Sequence, residues 1–173
     1  MAKLTEIYGY GNPAFQPLKD PARGVIEAYQ NAARFLDTVQ ERVYIRMGLV
    51  HTARLIHDLA HEMPKRFDVF SDMLHERHLE AIYPATPELT EEIPDMDRAF
   101  EIVTGVLEDI QAALERFHAV TDNAAFRPMA LKTEELMLRN SEDYTRFLEA
   151  WAMWDNLGGA SSFDNWVLHL KEE

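Results

Sequence analysis

The sequence contains no cysteine. Disulfides, zinc ribbons and thiol nucleophiles are therefore excluded from its chemistry. Long apolar runs are missing as well: nothing approaches the ~18 residues that a membrane-spanning helix needs. The opening stretch, MAKLTEIYGYGNPAF, lacks the apolar centre of a signal peptide. A cytoplasmic chain with no membrane partner is the expectation. Basic residues are scarce, with 17 Lys and Arg against 30 Asp and Glu, a net charge of −13. Such a surface repels phosphate backbones and argues against nucleic-acid partners. It suits a surface or cavity that attracts cations, or it simply keeps the chain in solution. Strand-like alternation, internal repeats and low-complexity tracts are all absent.

What is present is helical. At 173 residues and 47% apolar, the chain can form one domain with a sizeable core. Residues 1–20 hold Gly9, Gly11, Pro13 and Pro17, so they read as an irregular arm ahead of a single domain over 21–173. Asp20-Pro21 reads as a helix start, an acidic N-cap before a first-turn proline. From 22 to 63 there is no proline, and only Gly24 and Gly48 interrupt the pattern. This stretch is one long helix or two joined near Gly48. Pro64 is expected to end or kink it, because proline lacks an N–H and clashes with the preceding turn. A further helical pattern runs from Lys65 to about Tyr83. Pro84, Pro87 and Pro94 then bracket a connection that is long for a turn between antiparallel neighbours and suits a crossover.

Two stripes follow. Met96, Phe100, Val103, Leu107, Ile110, Leu114, Phe117 and Thr121 recur three and four apart, as do Ala130, Thr133, Met137, Asn140, Tyr144, Phe147, Trp151 and Trp154. That spacing places each set on one helix face. The short link between them makes an antiparallel hairpin. Asp95 is the expected N-cap of the first helix, Gly158-Gly159 stops the second, and Ser162 can cap a short C-terminal helix. The fold class is all-α, a four-helix bundle.

Five of the seven histidines, His51, His57, His61, His75 and His78, fall within 28 residues. On a helix His57 and His61 share a face, and so do Asp72 and Glu76, with His75 adjacent. The two helices are joined tightly at Pro64, so the two pairs should lie on antiparallel neighbours. Imidazole nitrogens and carboxylate oxygens are ligands for iron, zinc or manganese. The plainer reading is a solvated helix face, with histidines near a helix C-terminus. Neither C-terminal stripe contains a carboxylate, so a di-iron centre inside the bundle, which draws carboxylates from all four helices, is not expected. Any metal site should lie at a surface or a subunit interface.

The segment Asp72-Met-Leu-His-Glu76-Arg77, followed by Pro-Ala-Thr-Pro-Glu-Leu, resembles the end of the second helix in Dps-type mini-ferritins of the ferritin-like superfamily. The resemblance covers roughly residues 40–155. It implies a ferritin-like four-helix bundle with a crossover between helices two and three and a short C-terminal helix. It also implies an iron site shared between subunits, with Asp72 and Glu76 as carboxylate ligands. His57 matches the family's second-helix histidine, and His51 is the nearest counterpart of the other. The family's Gly-rich loop and the tryptophan beside its first-helix histidine are absent here.

The expected function is that of an iron-binding protein, a ferroxidase that oxidises Fe(II) and stores iron or protects against peroxide. The metal residues would be His51, His57, His61, Asp72, His75 and Glu76, in a homo-oligomer between a dimer and a dodecamer. The alternative is a non-enzymatic bundle that acts through self-association or partner binding. A third reading is a metal-dependent hydrolase or transferase of the DinB-like helical type, using a three-histidine site.

Overall fold

The structure, a computed structural model, describes residues 9–170. Residues 1–8 of the expected arm, and residues 171–173, lie outside the described residues. The remainder of the arm forms two short 3₁₀ turns, Gly9–Gly11 and Gln16–Leu18. Five α-helices follow: α1 (Lys19–Arg42), α2 (Val50–His75), α3 (Met96–Thr121), α4 (Arg127–Leu157) and α5 (Ala160–His169). No strand occurs among the described residues, so the all-α bundle expected from the periodicity is the fold class.

Helix α1 buries Ala22, Val25, Ile26, Tyr29, Ala32, Leu36 and Val39. Those positions recur three and four apart, the mark of one face turned inward. The helix starts at Lys19, before the expected Asp20 cap, because the preceding 3₁₀ turn already carries helical backbone through Leu18.

The break between the first two long helices is at Gly48, not at Pro64. A widened turn, Val43–Met47, leads into Gly48, whose φ of 69° is left-handed backbone that favours glycine. Helix α2 then runs unbroken through Pro64 to His75. A helix-interior proline costs about 3 kcal/mol relative to alanine. Here apolar burial on both sides offsets that cost: Leu59, Ala60 and Met63 before it, Phe70, Met73 and Leu74 after it. Pro64 itself is on the solvent side. The expected separate helix from Lys65 to about Tyr83 is instead the second half of α2, which ends at His75; residues 76–83 are not helical.

Helix directions follow from contacts near the ends. Asp164 of α5 caps the start of α2, accepting from the amides of His51 at 3.2 Å and Thr52 at 2.8 Å. Phe100, at the start of α3, packs against Phe163 of α5 with ring centroids 6.0 Å apart. The starts of α2 and α3 thus lie at one end. Further along, Phe70 of α2 meets Phe117 of α3 edge-on at 4.9 Å. The two helices run parallel, so residues 76–95 must return the length of the bundle. Along that route Tyr83 packs against Phe67 and Glu88 pairs with Arg34 of α1. Buried Leu79 and Ile93 anchor the ends of the connection.

All eight α3 stripe positions are buried. Asp95 caps this helix as expected, its carboxylate accepting from the Arg98 amide at 2.9 Å. Gly158, with φ 64°, ends α4. Helix α5 begins at Ala160, so Ser162 lies inside it and is not its cap.

The α4 stripe drifts by one residue at three places. The buried set is Met129, Ala130, Thr133, Leu136, Asn140, Asp143, Phe147 and Ala150. Leu136, Asp143 and Ala150 replace the expected Met137, Tyr144 and Trp151, which sit at half-buried edges. Tyr144 instead donates to Glu108 at 2.7 Å, and Trp151 donates its indole N–H to Asp97 at 2.8 Å. Their polar atoms pull both residues toward the rim, because a buried O–H or N–H needs a partner.

Candidate functional site

Helix α2 presents two opposed faces. Its apolar residues pack inward, and its outer face carries Arg54, His57, Asp58, His61, Lys65, Asp68, Asp72, His75 and Glu76 at exposed or half-buried positions. His57 and His61 are one turn apart and touch, with Nε2 atoms 2.9 Å apart and ring centroids 4.2 Å apart. The Asp58 carboxylate lies 3.7 Å from His57 Nδ1.

Asp72 is on the same helix as the histidine pair and Glu76 is that helix's C-cap, so neither is on an antiparallel neighbour. Fifteen residues separate His57 from Asp72, ~22 Å along a helix axis. The six residues named from the sequence therefore do not converge within one chain. No group of three or more His, Asp or Glu side chains among the described residues is placed to hold a metal ion. His51 lies six residues before His57, ~9 Å along the axis and about a third of a turn around it. Its backbone amide is held by Asp164. His75 is the last residue of α2, next to Glu76.

The spacing has a further property. Measured from a point between Arg66 and Phe67, His57 and Glu76 are equidistant, as are Asp58 and His75, His61 and Asp72, and Lys65 and Asp68. A second copy of α2 laid antiparallel about that point would set the histidine half of one helix level with the acidic half of the other.

Between α2 and α4 the bundle is loosely closed, whereas α1 packs extensively against α2 and α3, and α3 against α4. Two grooves occupy the loose seam. One, of 590 Å³, is lined by Asp58, His61, Glu62, Lys65, Asp143 and Arg146 above an apolar floor that includes Leu59 and Phe147. The other, of 350 Å³, is lined by Asp72, Glu76, Arg77 and Lys132 among apolar residues.

A buried ion pair separates the grooves. Arg66 Nη2 donates to Asp143 Oδ2, and both residues are 7% exposed. Arg66 Nε and Nη1 and the Tyr29 hydroxyl are buried without a hydrogen-bond partner in the protein. Burial, the larger effect, raises the Tyr29 pKa well above the ordinary phenol value, while the Arg66 charge opposes it. The phenol therefore stays protonated. One turn away, Asn140 donates to the Leu107 carbonyl at 2.8 Å and to Gln111 at 3.2 Å. It is fully buried and is not the edge residue its polarity suggests.

The bundle interior thus holds a carboxylate, Asp143, paired with Arg66. Sequence reasoning missed Asp143 because the stripe could pass through 143 or 144, and the aromatic residue was the natural choice. The available signal was Asn140: a polar core position three residues earlier marks where another polar residue would be tolerated.

No helix among the described residues is long and apolar enough to cross a membrane. No protein-family model matches this sequence, and no curated protein is significantly similar to it.

Proposed function

We propose that this chain is a ferritin-like iron-binding protein whose metal site is completed by a second copy of itself. The observation that carries the reading is the outer face of α2. It holds His57, His61, Asp72, His75 and Glu76 on one side of one helix, with histidines and acids mirrored about its middle. Imidazoles from one copy and carboxylates from the other would form the mixed nitrogen and oxygen ligand set that suits iron. The ferritin-like assignment draws further support from helix order. Parallel α2 and α3, joined by a connection that returns along the bundle, is the arrangement the resemblance implies. The continuity of α2 through Pro64 fits it too. The net charge of −13 favours cation entry.

In this reading Fe(II) is the substrate and dioxygen or peroxide the electron acceptor. Asp72 and Glu76 bind and polarise the ion, and His57 and His61 of the other copy supply nitrogen. His51, at the helix start and about a third of a turn around from His57, is a weaker ligand candidate. The test is Fe(II) titration with the oxidation rate followed optically, comparing wild type with Asp72→Ala/Glu76→Ala. The expected result is at least a tenfold slower oxidation in the variant, a barrier higher by ~1.4 kcal/mol or more. Equal rates would remove the carboxylates from the site.

A non-enzymatic, self-associating bundle is the second reading. It is favoured by the exposed apolar side chains of Tyr44, Ile45 and Val50 beside the α1–α2 turn. Exposed apolar residues grouped in this way mark association surfaces. In that case oxidation of Fe(II) would proceed at the rate of buffer alone, whatever the oligomer size found by light scattering.

A further inference from the structure

We infer that His57 and His61 form, within a single chain, a two-nitrogen chelate for a divalent cation of square or octahedral preference, Cu(II) before Ni(II). This inference rests on the geometry of one helix turn and needs neither a second copy nor the ferritin-like reading.

The argument starts from the distance between the rings. First-row divalent ions bind imidazole nitrogen at about 2.0–2.1 Å. Two such bonds ending on nitrogens 2.9 Å apart meet at about 90°. That is a cis edge of a square or an octahedron. A tetrahedral ion would need nitrogens roughly 3.3–3.4 Å apart. Tetragonal geometry with nitrogen ligands belongs to Cu(II) and Ni(II), and Cu(II) also stands highest in the general affinity order. The pair is therefore shaped for these ions ahead of zinc.

The protonation chemistry is compatible. At 2.9 Å one ring donates its Nε2–H to the lone pair of the other. A bound cation takes the place of that shared proton. The donor ring re-protonates on Nδ1, so both rings stay neutral and both Nε2 lone pairs face the metal. The Asp58 carboxylate, 3.7 Å from His57 Nδ1, favours a proton there. An acidic neighbour behind a ligating imidazole is the usual means of orienting it. Solvent access is open, since both side chains are on the outer face of α2 and His61 borders the larger groove. Water would complete the coordination.

The experiment uses the untagged full chain in a non-coordinating buffer, with CuCl₂ as probe. Electron paramagnetic resonance reads the ligands, and calorimetry reads affinity and stoichiometry. Wild type should bind one Cu(II) per chain, with hyperfine structure from two imidazole nitrogens. His57→Gln and His61→Gln, checked for folding by circular dichroism, should each weaken binding roughly tenfold or more. Asp72→Ala/Glu76→Ala should bind as wild type does. The inference fails if wild type shows no such nitrogen coupling, or if either single histidine variant binds as tightly as wild type. It also fails if the carboxylate variant loses copper, since that would assign the ion to a shared site. Loss of iron oxidation alone in the carboxylate variant would leave the chelate standing, so the two readings fail separately.

Discussion

Helix α3 and the seam between α2 and α4 line the same interior by opposite means. The α3 stripe is almost wholly apolar: Phe100, Val103, Leu107, Ile110, Leu114 and Phe117 are all fully buried. Its one deep hydroxyl, Thr121, donates back to the Phe117 carbonyl at 3.0 Å. The seam instead holds a buried arginine, a buried aspartate and two grooves. Apolar packing is strong but indifferent to register. A buried ion pair adds little net stability, yet it tolerates few geometries. The molecule thus has one side that supplies cohesion and one side left open enough to bear exposed polar groups.

Four variants sharpen this contrast. Phe117→Ala should be the most damaging, about 3–5 kcal/mol, because it empties a site packed edge-on against Phe70. Urea unfolding would measure it, and a loss below ~1 kcal/mol would mean that the α3 side is not the cohesive one. Arg66→Met should cost about 3 kcal/mol by taking from buried Asp143 its hydrogen-bonded cation and leaving only Arg146, 3.7 Å away. The double change Arg66→Met/Asp143→Leu should recover that loss or exceed wild type. If the double variant is as unstable as the single one, the pair contributes to stability and not merely to register. Asp164→Ala should cost least, about 1–2 kcal/mol, since it removes the cap from the first amides of α2. Faster amide exchange at His51 and Thr52 is the accompanying sign; unchanged exchange would show that α5 does not secure the end of α2.

Much of the architecture was readable without coordinates, for reasons specific to particular helices. Apolar residues fill the α3 stripe down to Thr121, so all eight positions named from periodicity are buried, with Ala99, Ile102, Thr104, Val106 and Ala113 buried beside them. On α4, Asp143 and Tyr144 compete for one place. A hydrophobicity pattern favours the aromatic, but Tyr144 finds Glu108 at the rim and Asp143 finds Arg66 inside. Arg66 lies on another helix 77 residues away in sequence. No local pattern can report such a partner. Pro64 illustrates the same limit, because its local penalty is outweighed only by burial against helices that the local sequence does not mention. The candidate site was half legible. The residues of the α2 outer face were found, but their arrangement was inferred from a turn at Pro64 that does not exist.

Composition and spacing by themselves determined the helical class, the α3 stripe, the Asp95 and Gly158 boundaries and the concentration of histidines before residue 79. These depend on backbone hydrogen bonding and on which side of a helix is apolar, both set within a few residues. Tertiary structure alone decided that the chain turns at Gly48, that α2 passes through Pro64, that Asp143 is buried beside Arg66, and that His57 lies ~22 Å from Asp72 along one helix. Each of those outcomes is a balance between a local cost and the burial or charge pairing available only once distant helices have met.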